Sequence, residues 1–426
     1  MKASLASSAR QAAPDFEARA AQVLHRCAEL ALATDERGQI LRTFLSPAME
    51  DCHRRVREWM ESAGMTVAVD RVGNIRGYYA GAQEPAARLV IASHLDTVPN
   101  AGRYDGILGV MLGIALVDAL QGRGFGFGVE VIGFSDEEGV RYGLPFIGSR
   151  AVVGHLGPPQ LARQDAHGVR MATAIAEYSA EHPEAIETPL DPRTRGYLEF
   201  HIEQGPVLEE AGLALGVVDA IAGQSRCTVT FRGRAGHAGT TPMSLRRDAL
   251  AAAAEWLVAV EAAASAITGL VATAGQISCA PGAPNVIPGL VRCSLDVRHA
   301  QDSVRNGAVA SMLVAAESIA SRRQIEVEHC LEHDQAAITL DSTLVQMAER
   351  AVADTGIQPM RMTSGAGHDA MIIAPHVPSA MIFLRSPGGI SHHSDEAVLA
   401  EDVATALRAG MSFLECFGKF LEERRA

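Results

Sequence analysis

The chain has 426 residues, 48% of them hydrophobic, with 40 glycines, 5% aromatics and a formal net charge of -13. That length favours two domains over a single core, and a glycine-rich, aromatic-poor composition fits an α/β enzyme better than a repeat array or a coiled coil. The acidity, without any cluster of Lys and Arg, argues against nucleic-acid and anionic-membrane partners, so an anionic substrate needs an arginine of its own.

The opening stretch MKASLASSARQAAPDFEARA has no apolar core of signal-peptide length, and no later run is long enough to span a bilayer. Seven cysteines (Cys27, Cys52, Cys227, Cys279, Cys293, Cys330 and Cys416) are odd in number and form no CxxC, which predicts reduced thiols and a cytoplasmic location. After a helical opening, ARLVIASH reads as a buried strand, DGILGVMLGIALVDALQGRG as a glycine-stopped helix and GVEVIGFSDEEG as a second buried strand. Strand, helix, strand is the unit of a mainly parallel sheet. From about Ile221 to His333 the character changes: CTVTF and LVRCSLDVRHA alternate in period two around the alanine-rich helix RDALAAAAEWLVAVEAAA, which predicts a smaller α+β domain inserted into the first. SAMIFLRSPGGISHH then resumes a buried strand, and a C-terminal helix follows from about Glu401.

Four segments share one pattern. LVIASH ends on His94, EVIGFSDEE on Glu137 and Glu138, YLEFH on His201, and MIFLRSPGGISHH on His392 and His393. Ligands of open α/β sheets bind beyond the carboxyl ends of the strands, so these residues can converge despite their separation. One such histidine is ordinarily a hydrogen-bonded structural residue, and adjacent acids are ordinarily a solvated patch. Four strand ends emptying into His, Asp or Glu, without Cys, suit one or two divalent ions such as Zn²⁺ or Mn²⁺.

SHLDTV, YDGILG, DEEG, EFHIEQGPVLE, GHAGTTPM, NVIPG, SGAGHDAM and GISHHSDE occur in that order. Together they resemble the dinuclear M20 amidohydrolases, in particular the group of allantoate amidohydrolases, N-carbamoyl-L-amino-acid hydrolases and β-ureidopropionases, and within it the allantoate amidohydrolases most. The resemblance covers nearly the whole chain. It implies a mainly parallel-sheet, zinc-peptidase-like catalytic domain over residues 1–221 and 336–426, with a ferredoxin-like α+β lid and dimerisation domain at 222–335. It implies two divalent ions, Mn²⁺ or Zn²⁺, per subunit, one held by His94, Asp105 and His201 and the other by Asp105, Glu138 and His392, with Asp105 bridging. Asp96 is expected to orient the His94 ring. Glu137 is expected to act as general base, taking a proton from the attacking water and passing it to the leaving nitrogen. Ser394 departs from the family, which more often has proline there; His392 aligns with its histidine and His393 with a variable position.

In LVRCSLDVRHA, Val291, Cys293, Leu295 and Val297 share one face and Arg292, Asp296 and Arg298 the other, so Arg298 can point outward to clamp a carboxylate. Spacing alone favours a surface pair of Arg298 with Asp296. The resemblance implies that His237, Asn285 and Arg298 bind substrate across a homodimer, His237 supporting a developing oxyanion. It places Gly365, in SGAGHDAM, near the substrate carboxylate, where glycine lets backbone N–H groups approach an anion; Gln204, close after a ligand, is a further substrate contact. The activity implied is hydrolysis of a ureido C–N bond in a small anionic substrate: allantoate to ureidoglycine, carbon dioxide and ammonia. The alternatives are N-carbamoyl-L-amino-acid hydrolysis, a dipeptidase or deacylase of the same architecture, and a non-catalytic binding protein that kept the fold.

Overall fold

Long, largely apolar runs become the central strands, because only a strand covered on both faces can bury nearly every side chain. The computed structural model describes residues 14–82 and 84–424; residues 1–13, which carry most of the stretch without a signal-peptide core, lie outside them. The strands, in chain order, are β1 (Thr66–Val69), β2 (Ile75–Tyr79), β3 (Ala87–His94), β4 (Phe127–Phe134), β5 (Thr194–Ile202), β6 (Leu215–Ile221), β7 (Gly223–Arg232), β8 (Gly236–His237), β9 (Val271–Thr273), β10 (Ile277–Ala280), β11 (Val286–Ile287), β12 (Leu290–His299), β13 (Glu326–Gln335), β14 (Ile338–Thr339), β15 (Arg361–Ser364) and β16 (Ser379–Leu384).

Two units result. The larger takes the chain up to Asp219, Leu340–Met362 and His368–Ala426; the smaller takes Ala220–Thr339 and Thr363–Gly367. The sequence-derived insert of 222–335 has no place for residues 363–367. They join the smaller unit because Ala222 N donates to the Ser364 carbonyl at 2.9 Å and Arg298 Nη1 to the Gly365 carbonyl at 2.6 Å.

In the larger sheet the order is β1-β2-β4-β3-β5-β16-β6, and β4, β3, β5 and β16 are mutually parallel. Their carboxyl ends therefore lie at one edge. The register sets His94 opposite Phe134 and His201 opposite Phe383, so residues following β4 and β16 emerge beside the two histidines. The helix Ile107–Ala119 is apolar on every side. It can be so because β3, β4 and β5 lie against it on one flank, and the helices Phe16–Leu30 and Ala400–Glu423 cover the rest.

The smaller unit is an antiparallel sheet of order β10-β12-β7-β13, with β9 also on β12. Val291, Cys293, Leu295 and Val297 are buried under the helices Ala249–Ser265 and Asp302–Arg322, as their period-two spacing predicts. Trp256, fully buried, donates from its indole to the Met312 carbonyl at 2.9 Å and so joins the two helices. No described helix is long and apolar enough to cross a membrane.

His53, on the helix Pro47–Ser62, is buried, and its Nε2 has no hydrogen-bond partner among the described residues. Burial, reinforced by Arg57 and Arg42, pushes its imidazole down to about 3. Below a pH of about 6.5 the unfolded chain therefore binds a proton that the folded chain refuses. Stability from this group is complete above that value and falls as the pH drops towards 3. Between pH 7 and 5.5 the wild type should lose about 1 kcal/mol more unfolding free energy than His53→Gln. Urea titrations at the two pH values check it; equal losses in both proteins would remove His53 as the cause.

Candidate metal centre and hydrolytic site

The site grows from the carboxyl edge of β3. His94 closes that strand, and eleven residues later Asp105 returns to it through a bend that ends at Gly106. Gly106 has φ +71°, and a Cβ there would stand 2.4 Å from the His94 ring, so only glycine allows the bend to come this close.

Asp105 is nearly fully buried, and its two oxygens face different partners. Oδ1 lies 3.2 Å from His201 Nε2 and 3.7 Å from His94 Nε2; Oδ2 lies 3.2 Å from His392 Nε2. His392 Nε2 is also 3.4 Å from Glu138 Oε1. Three sets of side chains could each hold an ion: His94, Asp105 and His201; Asp105, Glu138 and His392; and His94, Glu137 and Glu138. The first two are the sets that the resemblance implies. The third includes Glu137 and draws on His94 of the first set and Glu138 of the second.

The hydrogen-bond pattern bears on whether a cation fits. His94 Nδ1 lies 3.1 Å from the Asp96 carbonyl and His201 Nδ1 2.9 Å from the Ile202 carbonyl. A carbonyl only accepts, so each Nδ1 carries the proton and each Nε2 presents a lone pair. Those two nitrogens face one another at 3.4 Å, beside an Asp105 Oδ1 that has no hydrogen-bond partner among the described residues. Lone pairs aimed at a common point repel unless a proton or a cation sits between them. Buried imidazole and carboxylate donors around one point suit a divalent ion of the Zn²⁺ or Mn²⁺ kind.

The electrostatics follow the same layout. Burial alone would raise Asp105, but the facing His201, His392 and His94 rings outweigh it and hold the carboxyl well below its ordinary range. Asp105 in turn lifts His392 to about 9. Burial, then the charge of Asp105, lifts Glu138 to about 7. Glu137 is buried too and pushed well above the ordinary carboxylate range, His94 opposing the shift while Glu138 and Asp369 add to it.

Asp96 does more than face His94, whose Nδ1 is 3.4 Å from its Oδ1. Its two oxygens accept from Glu137 N at 2.8 Å and Glu138 N at 3.0 Å, so one buried carboxylate ties the loop after β3 to the loop after β4. Gln204, with φ +59°, directs its amide nitrogen to Asp105 Oδ2 and to Ser391 Oγ, both at 3.0 Å. That amide holds the carboxylate shared by the two ligand sets. Ser391, which donates to the same oxygen at 3.1 Å, and Glu396, described further below, were not singled out from the sequence; their place in the SHHSDE motif was the available signal.

The remaining candidates belong to the smaller unit. His237 does not stand in an open loop: Gly236–His237 pairs with Val286–Ile287, and Ala238 N donates to the Asn285 carbonyl at 2.9 Å. Gly239 N donates to His237 Nδ1 at 3.1 Å, which leaves the ring proton on Nε2 and makes this exposed histidine a donor. Arg298 is paired with Asp296, Nε to Oδ1 at 2.9 Å, as spacing alone would have it. Asp296 also receives Gln224 Nε2 at 2.6 Å and Arg226 Nε at 2.9 Å, so two guanidinium groups share one carboxylate. Arg226, Asp296 and Arg298, with Gly365, Gln276 and Ser294, line a cleft of about 710 Å³. Gly365 offers its carbonyl to Arg298 rather than an N–H to an anion. His393, next to the metal cluster, is exposed.

Residues 90–415 match the model of peptidase family M20/M25/M40. Allantoate deiminase 1 of Glycine max is 40% identical, over 92% of this chain and 89% of that protein. The N-carbamoyl-L-amino acid amidohydrolase of Geobacillus stearothermophilus is also 40% identical, over 82% of this chain and 86% of that protein. Among solved structures, an amidase of the hydantoinase/carbamoylase family from Burkholderia multivorans superposes with a TM-score of 0.88 at 29% identity, over 93% of this chain and 97% of that one. With the family match spanning most of the sequence, and a His, Asp and Glu cluster compatible with divalent metal at the edge of its parallel sheet, this chain belongs to peptidase family M20/M25/M40.

Proposed function

We propose that this hydrolase of carbon–nitrogen bonds acts on the ureido group of allantoate, releasing ureidoglycine, carbon dioxide and ammonia. The observation that carries the reading is the arrangement of His94, His201 and His392 around Asp105 with Glu137 beside them, together with the relatives named allantoate deiminase. N-carbamoyl-L-amino-acid hydrolysis is the second reading, supported by the relative of that name; both substrates carry a ureido group and a carboxylate. Turnover of allantoate, N-carbamoyl-L-amino acids and dipeptides by the purified protein separates them. Preference for the N-carbamoyl compounds would overturn the first choice, and preference for dipeptides would overturn both.

His94, Asp105 and His201 would hold one divalent ion, Zn²⁺ or Mn²⁺, and Asp105, Glu138 and His392 the other. When bound, the two ions polarise the scissile carbonyl and make the attacking water more acidic. Glu137 accepts the proton of that water and returns it to the leaving nitrogen. Asp96 holds the backbone of both glutamates and the ring of His94. The Nε2 proton of His237 is available to a developing oxyanion, and Asn285 fixes the backbone beside it. The seven unpaired cysteines support a reducing, cytoplasmic setting.

Arg298 binds the substrate carboxylate, acting in a homodimer on the site of the partner subunit. Arg298→Ala should raise KM for allantoate by at least ~30-fold, the equivalent of about 2 kcal/mol for an anion losing its charged partner. Lysine should restore only part, because it lacks the planar fork. Co-expressed Arg298→Ala and Glu137→Gln subunits, purified as a heterodimer through distinct tags, should recover, at allantoate well below the raised KM, turnover that exceeds that of either homodimer, since one of the two sites keeps both residues. An inactive heterodimer that is folded and fully metallated would reject the shared site; an unchanged KM in Arg298→Ala would return the residue to its pair with Asp296.

A further inference from the structure

One buried carboxylate outside the proposed ligand sets ties two of their members together. Glu396 is 5% exposed, and its Oε1 accepts from Tyr104 N at 2.8 Å and from Asp105 N at 3.0 Å, across a gap of 291 residues. Its own backbone N–H donates to the His393 carbonyl at 3.1 Å, which closes the turn that carries His392 four residues upstream. The backbone is shaped to admit this side chain: a Cβ on Gly102 would stand 2.4 Å from its Cβ, Cδ and Oε1. Oε2 is buried with no hydrogen-bond partner among the described residues. Burying a carboxylate for two amide bonds is costly, so those two bonds are what its retention in this place serves.

We infer that Glu396 is a positioning residue that locks the Asp105 bend to the His392 turn and thereby sets the geometry of the second ion's ligands. The inference rests on the reading of Asp105, Glu138 and His392 as one ligand set. Two of those three ligands hang on elements that Glu396 joins, whereas in the set of His94, Asp105 and His201 it touches only one. Loosening the clamp therefore weakens the second ion more than the first. Charge and geometry can be separated, because glutamine keeps an acceptor oxygen for both amides and loses only the charge.

The test uses Mn²⁺ alone, titrated into the full-length, metal-stripped protein and followed by the electron paramagnetic resonance signal of the free ion, with no substrate present. Wild type should bind two ions. Glu396→Ala should bind its second ion ~10–100-fold more weakly, the usual cost of losing a group that orients a ligand, with a smaller change for the first. Glu396→Gln should stay within ~3-fold of wild type at both sites, on the premise that acceptor geometry governs. Retention of the first ion shows that the alanine protein is folded; should it not fold, Gly102→Ala, which drives the carboxylate from its seat, should give the same selective loss. A purely structural anchor would lower the melting temperature and leave both affinities as they were, and that result overturns the inference. So does a glutamine variant as weak as alanine, or a loss confined to the first ion. A wild type that binds fewer than two ions would instead remove the dinuclear reading, and the clamp with it.

Discussion

Glu137→Gln is expected to keep both metal ions and the KM for substrate while lowering kcat by at least ~10²-fold, the scale of general acid–base catalysis. The amide has the volume of the acid but cannot take a proton. Of the two carboxylates of the DEE run that belong to neither proposed ligand set, Asp136 and Glu137, it is the one that lies within reach of His94 and Glu138. Its buried surroundings push its carboxyl above the ordinary range. Steady-state kinetics with metal analysis of the same preparation checks the claim. Glu138→Gln is the control: it should lose an ion, because its carboxylate stands 3.4 Å from His392 Nε2. The reverse pattern, an ion lost from Glu137→Gln and both retained in Glu138→Gln, would exchange the two roles.

The second large effect concerns Asp105. Asp105→Ala should lower the metal content at both sites together and bring activity down to background, because one carboxylate faces His94 and His201 with Oδ1 and His392 with Oδ2. Removing it also leaves three imidazoles without the charge that keeps them in place. Chelation of the wild-type protein should have the same consequence for activity without the mutation, and added Mn²⁺ or Zn²⁺ should restore it. Metal content by mass spectrometry beside turnover provides both readings. Loss of a single ion in Asp105→Ala would count against a shared carboxylate; full activity in demonstrably metal-free protein would remove the ions from the mechanism altogether.

Much of this was legible in the chain itself. The apolar runs LVIAS, VIGF and MIFL have no charge to place outside, so they had to be covered on both faces, and a parallel sheet is the arrangement that does this. Period-two spacing settled which side of the strand Leu290–His299 is buried, because alternation is a property of the backbone and needs no partner to be read. The residue types His, Asp and Glu at successive strand ends pointed to a metal for the same local reason. Other features depend on contacts between segments that are far apart, and periodicity carries no information about those. That Gly106 is forced by the ring of His94, that Asp96 holds the amides of Glu137 and Glu138, and that Gln204 turns to Asp105 are set by approach distances across 12 to 99 residues. Residues 363–367 likewise join the smaller unit only through hydrogen bonds made after folding. Composition and periodicity determined the kind of sheet and its buried faces, and placed His, Asp and Glu at its edge. Which buried carboxylates clamp backbone was decided by the tertiary structure, because a hydrogen bond depends on where two atoms meet and not on how far apart they stand in the chain.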